Sequence, residues 1–390
     1  MLEPQFVTAE RRARGCGERA EFPQVRRPGL TRGAGVARLE GMQRTRIPDE
    51  LGNAFTVADA RSAGVTASRL RGRDLDAPYR GVRVVRRSDA EDAGMATGAH
   101  GAGATAARAD SPQPDVIGEA KAAADARELR RRALVFSLTM PPNQFFTHVT
   151  AAILWGLPVP AALLRDAFGR LRDLDVGVFG PLRHPRHAGV RGHQLKHGRS
   201  RVVKHEVHGV RLTTPAYTWV ALGAVIVDHY DLVAVADAIV REQIFSDDPP
   251  PLATLAQLHQ ALAAGRRVGG PALREALPRV RTRSASRMET RCRLILSDAG
   301  LPEPELNHVV FDGNGDFVAC VDLAYPGQKI AIEYEGEHHL RDAGQWAKDI
   351  ARYEALAAAG WFVIRVTKAD VFDARSDLVR RVRHALRSRA

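Results

Sequence analysis

Two stretches decide how this chain reads: FVACVDLAY at 317–325 and KIAIEYE at 329–335. Both carry the two-residue alternation of a β-strand. In the second, Ile330, Ile332 and Tyr334 take one face; Glu333 and Glu335 take the other, with Ala331. In the first, Val321, Leu323 and Tyr325 share a face and Asp322 lies opposite. Few residues separate the runs, so they are expected to pair as a hairpin with Asp322 beside Glu333. Three carboxylates on one patch repel each other unless a cation neutralises them. Hard oxygen ligands of this kind suit Mg²⁺ or Mn²⁺. Such an ion can activate water and stabilise charge on a phosphate. The alternative is a solvated acidic sheet face.

Outward from this hairpin the local signals continue. Residues 308–311 form a strand joined to 317–325 by Asp312-Gly313-Asn314-Gly315, a strong turn sequence. Ser286 and Glu289 open a helix that Gly300 and Pro302 close. A helix over 345–359 is capped by Gly360, a strand covers 361–367, and a basic helix covers 375–387. The order is α-β-β-β-α-β-α.

This pattern resembles the PD-(D/E)XK nuclease fold, and more narrowly the Vsr-like endonuclease relatives called domain of unknown function 559. In that family a V-D-hydrophobic strand precedes an E-x-D-G-x-x-H signature. Here the segments read Val321-Asp322-Leu323 and Glu333-Tyr334-Glu335-Gly336-Glu337-His338-His339. Asp349 and Arg352 match the family's next helix, and the run from Ala358 through Gly360 and Trp361 to Arg365 matches its last strand. Glu289 matches its first-helix acid, and the similarity spans about 105 residues. The resemblance implies a Mg²⁺- or Mn²⁺-dependent endonuclease with Asp322, Glu333 and Glu335 as metal ligands. Glu335 departs from the usual Asp or Lys by its longer side chain, and Gly336 permits the turn off the strand. The resemblance implies that His338 contacts the scissile phosphate or carries a proton; a surface histidine is the alternative. Glu289 is either a catalytic acid or a capping-box acid following Ser286.

Arginines flank these motifs. Arg287 and Arg291 fall in a cluster from Arg279 to Arg293, Arg352 lies on the next helix, and Arg380, Arg381, Arg383 and Arg387 crowd the last one. Phosphate contacts would give salt-dependent DNA affinity; a solvated charged face is the alternative.

The N-terminal half carries a second pattern. Residues 58–63 and 68–73 read as two short helices around Gly64-Val65-Thr66, a helix-turn-helix whose second helix presents Arg69, Arg71 and Arg73 to DNA. Residues 79–85 alternate like a wing strand. A small helical hairpin packed on its neighbour is the alternative. Farther on, residues 148–154 read as a helix, 175–179 and 207–212 as strands, and helices follow Thr213-Thr214-Pro215 and cover 233–240. The head, together with the segment from Thr150 through Trp155-Gly156-Leu157-Pro158 and with Thr213-Thr214-Pro215, resembles AbiEi-type antitoxins and transcriptional regulators. In that family the head binds DNA. Six histidines from His184 to His208 invite a metal reading, but no Cys joins them and Gly, Pro and Arg surround them. They are expected to face solvent.

The expected fold class is multidomain α+β. Residues 1–45 are a disordered basic arm or precede a true start at Met42, and 46–87 form the winged-helix-like head. Residues 88–127 are an Ala/Gly-rich linker, and 128–245 form a mixed α/β domain. Residues 246–283 connect this to the αβββαβα restriction-endonuclease-like domain at 284–390. Across 390 residues, 57 Lys and Arg against 45 Asp and Glu leave a net charge of +12, which points to a polyanionic partner, nucleic acid first and an anionic membrane surface second. The longest apolar run, 216–227, falls short of the ~20 residues a membrane span needs. No secretory signal is legible, and Cys16, Cys292 and Cys320 are too few and too scattered for a disulfide framework. A cytoplasmic location is expected. The competing functional expectation is an AbiEi-like antitoxin or repressor that binds DNA without cutting it, with a toxin encoded nearby as a second partner.

Overall fold

The computed structural model describes residues 46–86, 114–335, 343–373 and 375–390. Within them the chain is mixed α+β, with three sheets. After β1 (Ala54–Thr56), the Thr56 hydroxyl oxygen accepts the Asp59 N–H at 3.0 Å and starts α1 (Val57–Ser62). Where a second helix is expected over 68–73, the chain makes one 3-10 turn, Arg69–Arg71. Gly72 leaves the helical region at ψ 143°, and Arg69 closes back on Asp74 with a bond of 2.6 Å. So short a run cannot recover the cost of nucleating a helix. β2 (Leu75–Asp76) and β3 (Val82–Val85) complete a sheet of order β1-β3-β2. β3 starts later than expected because residues 79–82 form a turn, with Gly81 at φ +83°.

α2 (Pro114–Ser137) corrects the expected linker, which was to run to 127. Alanine is the best helix former, and the far end of this helix buries Leu129, Ala133 and Phe136. That burial holds a segment whose composition alone supplies little to pack. The central sheet follows: β4 (Phe145–Phe146), then α3 (His148–Leu154), β5 (Leu174–Phe179), β6 (Val190–Leu195), β7 (Val202–Lys204) and β8 (Arg211–Thr213). Its order is β6-β5-β4-β8-β7. The strand expected over 207–212 shortens to β8, because Gly209 N–H bonds the His205 carbonyl at 2.8 Å and turns the chain.

Four helices follow the sheet: α4 (Pro215–Leu222), α5 (His229–Val240), α6 (Leu255–Ala263) and α7 (Gly270–Ala276). Trp219 is fully buried, its indole N–H bonded to the Leu232 carbonyl at 2.9 Å. Leu258 and Ala261 of α6 and Leu273 and Ala276 of α7 join the same core as Phe146 and Leu174. The expected connector therefore folds onto the middle core.

The C-terminal elements keep the expected order, with one short helix added. They are α8 (Arg287–Asp298), β9 (Glu305–Phe311), β10 (Phe317–Tyr325), β11 (Ile330–Tyr334), α9 (Ala343–Ala358), β12 (Phe362–Val366), α10 (Lys368–Phe372) and α11 (Leu378–Ser388). The sheet runs β12-β11-β10-β9; β9, β10 and β11 are an antiparallel meander, and β12 lies parallel to β11. One face buries Leu323, Tyr325, Ile330 and Ile332 against Cys292 and Leu296 of α8 and Val382 of α11. The other buries Ala324 and Ala331 against Leu356 of α9 and Trp361. Val321 packs with this second group, not with Leu323 as alternation predicts. The pairing of β10 with β11 extends from Tyr325 to Leu323, and the strict alternation fails just beyond it. No described helix is long and apolar enough to cross a membrane.

Candidate active site

The site forms where β10 and β11 cease to pair. Past Leu323 the Asp322 side chain replaces the ladder: its Oδ2 accepts the Tyr334 N–H at 2.8 Å. Glu333 follows Ile332 on β11 and is 3% exposed. The Arg352 guanidinium, delivered by α9, donates from Nη2 to Glu333 Oε1 at 2.7 Å and to the Cys320 carbonyl at 2.8 Å. Glu289, in the first turn of α8, is 5% exposed. Its backbone N–H is capped by Ser286 Oγ at 3.2 Å, while its Oε2 accepts the Ala285 N–H at 2.8 Å and the Asn307 Nδ2–H at 2.9 Å. Glu289 thus both sits in a capped first turn and turns its carboxylate inward.

Electrostatics tie these three acids together. Burial, then the facing Asp322, pushes the Glu333 carboxyl up to about 8, against the pull of Arg352. Burial and Asp322 likewise push Glu289 up to about 7. Asp322 is raised by burial, opposed by the Tyr334 N–H and by Arg352. Burying several carboxylates around one guanidinium leaves excess negative charge, and holding a proton is the cheapest relief available to the protein alone.

The coupled acids are Glu289 and Glu333, both buried, and Asp322, half-buried. Glu335, expected as the third ligand, is engaged elsewhere: Arg365 holds both its oxygens, and the Tyr353 hydroxyl donates to Oε1 at 2.7 Å. Arg365 is paired with Glu333 in the parallel register of β11 and β12, which brings its side chain within reach of Glu335. Among the described residues no three His, Cys, Asp or Glu side chains form a ready ligand group. Asp322 and Glu333 supply hard carboxylate oxygens, and the one guanidinium beside them, Arg352, leaves their combined negative charge only partly balanced. That chemistry fits a divalent cation bound by two carboxylates and completed by water, as Mg²⁺ often is. His338 and Gly336 lie outside the described residues.

The arginines expected at DNA distribute differently. Arg291 is 7% exposed and donates from Nη1 to Asp228 and Asp231 at 2.9 Å. Arg287 bonds both oxygens of Asp231, at 2.8 and 2.9 Å. Arg293, 2% exposed, bonds Asp237, which is 1% exposed, at 3.0 Å. These side chains fasten α8 to α5 instead of facing solvent, because the apolar contact between the helices desolvates them and the α5 aspartates are their nearest partners. Arg352 is committed to Glu333, and Arg69 to Asp74. Arg71 and Arg73 are exposed, as expected for a phosphate contact.

Asn307 was missed by sequence reasoning. It is 8% exposed and adopts a left-handed backbone, φ +46°. Its amide joins Glu289 to the Arg283 carbonyl, which accepts from Nδ2 at 2.6 Å. The register places Asn307 between Leu306, opposite Leu323, and His308, opposite Val321, and so across from Asp322. The one available signal was an amide standing, with His308, between the apolar residues Leu306 and Val309. The histidine expectation also divides. His184, His187 and His197 are exposed. His193 instead bonds the fully buried Asp175 at 2.8 Å and stacks on His148 at 4.0 Å. Burial, then the charge of His193, lowers His148 to about 4.

Comparison with known proteins is sparse. An uncharacterized protein of Mycobacterium tuberculosis, MT2308 in strain CDC 1551 / Oshkosh and Rv2248 in strain ATCC 25618 / H37Rv, is 34% identical over 135 residues. That match covers 34% of this chain and 49% of the relative, so the chain spans about half the length of the curated relatives it matches. No protein-family model and no solved structure matches the chain.

Proposed function

We propose that the protein is a metal-dependent DNA endonuclease hydrolysing phosphodiester bonds, with its carboxylate site at the diverging ends of β10 and β11. The observation that carries this reading is the grouping of buried Glu289 and Glu333 around half-buried Asp322, with all three pKa values driven upward. Strongly perturbed acids grouped at one point concentrate at working sites, where a poised proton or a bound cation uses them. Asp322 and Glu333 would hold Mg²⁺ or Mn²⁺, which supplies a water of lowered pKa and charge stabilisation at the phosphate. Glu289, near its own pKa at neutral pH, can hold or release a proton. Arg352 orients Glu333, and Asn307 orients Glu289. Exposed Arg71 and Arg73 in the head supply sequence-independent phosphate contacts.

The test is plasmid cleavage with Mg²⁺ or Mn²⁺, beside Glu333→Ala and an EDTA control. Nicking that needs the metal and disappears in the variant supports the reading. Absence of cleavage on supercoiled, mismatched and single-stranded DNA overturns it.

A second reading has its own observation. Glu333 and Glu335 each have an arginine partner, Arg352 and Arg365. Carboxylates neutralised from within need no cation, which favours an AbiEi-like antitoxin or repressor that binds DNA without cutting it. Operator-specific binding without metal-dependent cleavage, and a toxin gene beside its own, would distinguish it.

A further inference from the structure

A cavity of about 650 Å³ lies in the middle domain between the β7–β8 hairpin, the end of α3, and helices α4 and α6. This size falls in the ~300–1,000 Å³ range of small-ligand sites. Its wall is aromatic. The Trp155 and His205 rings lie 4.7 Å apart, and the Trp155 indole N–H is anchored to the Thr213 carbonyl at 2.9 Å. Tyr217 also lies on the lining, its ring engaged by the Arg267 guanidinium at 5.6 Å. The rim is cationic: Arg201 and Lys204 are exposed, and neither side chain has an ion-pair partner among the described residues. Elsewhere in the fold, arginines such as Arg287, Arg291, Arg293 and Arg352 are consumed by carboxylates. The one acid on the lining, Glu206, is exposed on the same hairpin. Gln260 adds an amide that can donate and accept. Three large apolar residues exposed to solvent, Val203, Val207 and Leu252, also border the opening. Apolar side chains gathered at the mouth of a cavity mark a surface that gains by being covered.

The geometry points to a nucleotide-binding pocket: a planar base on the aromatic wall, with its phosphate on Arg201 and Lys204. Aromatic stacking is indifferent to base identity, and a pair of unneutralised cations supplies the phosphate contact. The nucleotide is either a free mononucleotide or one unit of a single strand. The surroundings suit a strand. A second cavity of about 390 Å³ shares Trp155, Pro250, Pro251 and Leu252 with the first and ends on Ser284, Ala285 and Arg287. Ala285 is the residue whose N–H Glu289 holds. The pocket therefore opens toward the start of α8, beside the carboxylate site. The claim concerns binding alone and does not depend on cleavage.

The test is a titration of the full chain, followed by tryptophan fluorescence and by anisotropy. One arm uses nucleoside monophosphates and the other a short labelled oligothymidylate. Saturable binding in either arm is expected, and the arm that saturates identifies the source. Arg201→Glu and Lys204→Glu, both exposed and suited to leave the fold intact, should each weaken binding about tenfold, the worth of one charge-assisted contact. Trp155→Phe should remove the fluorescence change. Lys196→Glu, an exposed charge outside the cavity, should leave affinity unchanged, and so should EDTA in the titration buffer, which separates this pocket from the metal-dependent nuclease reading. No saturation in either arm, or saturation that both rim variants retain, overturns the proposal.

Discussion

Arg352 Nη2 stands 2.7 Å from Glu333 Oε1 and 2.8 Å from the Cys320 carbonyl oxygen. One guanidinium from α9 thus fastens the two strands that carry Asp322 and Glu333, at the point where their own ladder stops. It also supplies the positive charge that opposes the rise of both carboxyls. Arg352→Met should raise the Glu333 pKa further and lower the melting temperature most at alkaline pH, where Glu333 would ionise without a partner. Arg352→Lys, which keeps a charge but loses the fork, should recover part of the loss. Thermal unfolding across pH measures both, and a pH-independent loss would contradict the electrostatic account.

Glu289 and Glu333 have folded pKa values of about 7 and about 8, above the ordinary carboxylate range. Between that range and those values the unfolded chain has lost protons that the folded chain keeps. Stability contributed by these groups is therefore complete at acid pH and falls as pH rises, flattening above about 8. The slope is at most ~1.4 kcal/mol per group per pH unit. Glu333→Gln should flatten the upper part of the curve in denaturant titrations. An unchanged slope would show that Glu333 titrates normally.

A divalent cation that binds the ionised carboxylates should reverse that loss by mass action. Mg²⁺ or Mn²⁺ should raise the melting temperature more at about pH 8 than at about pH 6, where protons compete for the same oxygens. Asp322→Asn and Glu333→Gln should each abolish the shift, and Glu335→Gln should leave most of it. This is a calorimetric readout that needs no substrate. Equal shifts in all three variants would place the cation elsewhere.

Arg293 and Asp237 are 2% and 1% exposed and face each other across the contact between α8 and α5. Asp237 also accepts the Arg281 N–H at 2.7 Å and the Thr290 hydroxyl at 2.8 Å. Removing one member of such a pair strands the other without solvent. Arg293→Ala should cost ~3–5 kcal/mol in chemical denaturation. A loss below ~1 kcal/mol would mean that water reaches the site in the variant.

In the head, Arg71 and Arg73 are exposed while Arg69 is held by Asp74. Arg71→Ala and Arg73→Ala should each weaken DNA binding uniformly across sequences and reduce the salt slope by about one. Arg69→Ala should instead lower the stability of the head. Anisotropy at several salt concentrations separates the two effects, and equal slopes for all three variants would refute the assignment.

Features that depend on neighbours along the chain were legible in the residue order. The turn at Asp312–Gly315, the alternation in 317–325 and 329–335, and the Ser286 cap act over a few residues, and they yield the order and type of the C-terminal elements. The proximity of Asp322 and Glu333 followed from the same local logic, since a short hairpin leaves few registers. Long-range packing selected which third acid joins them. Glu335 had the right spacing but lies within reach of Arg365 on β12, and Glu289 and Asn307 arrive from α8 and β9. It also decided the fate of the arginines, because a cation's partner is whatever carboxylate packing brings near, and the aspartates of α5 lie more than fifty residues from Arg287, Arg291 and Arg293. The Ala-rich stretch ending in α2 is the same case. Its propensity permits a helix, but the core that Leu129 and Phe136 enter is built by strands and helices far along the chain.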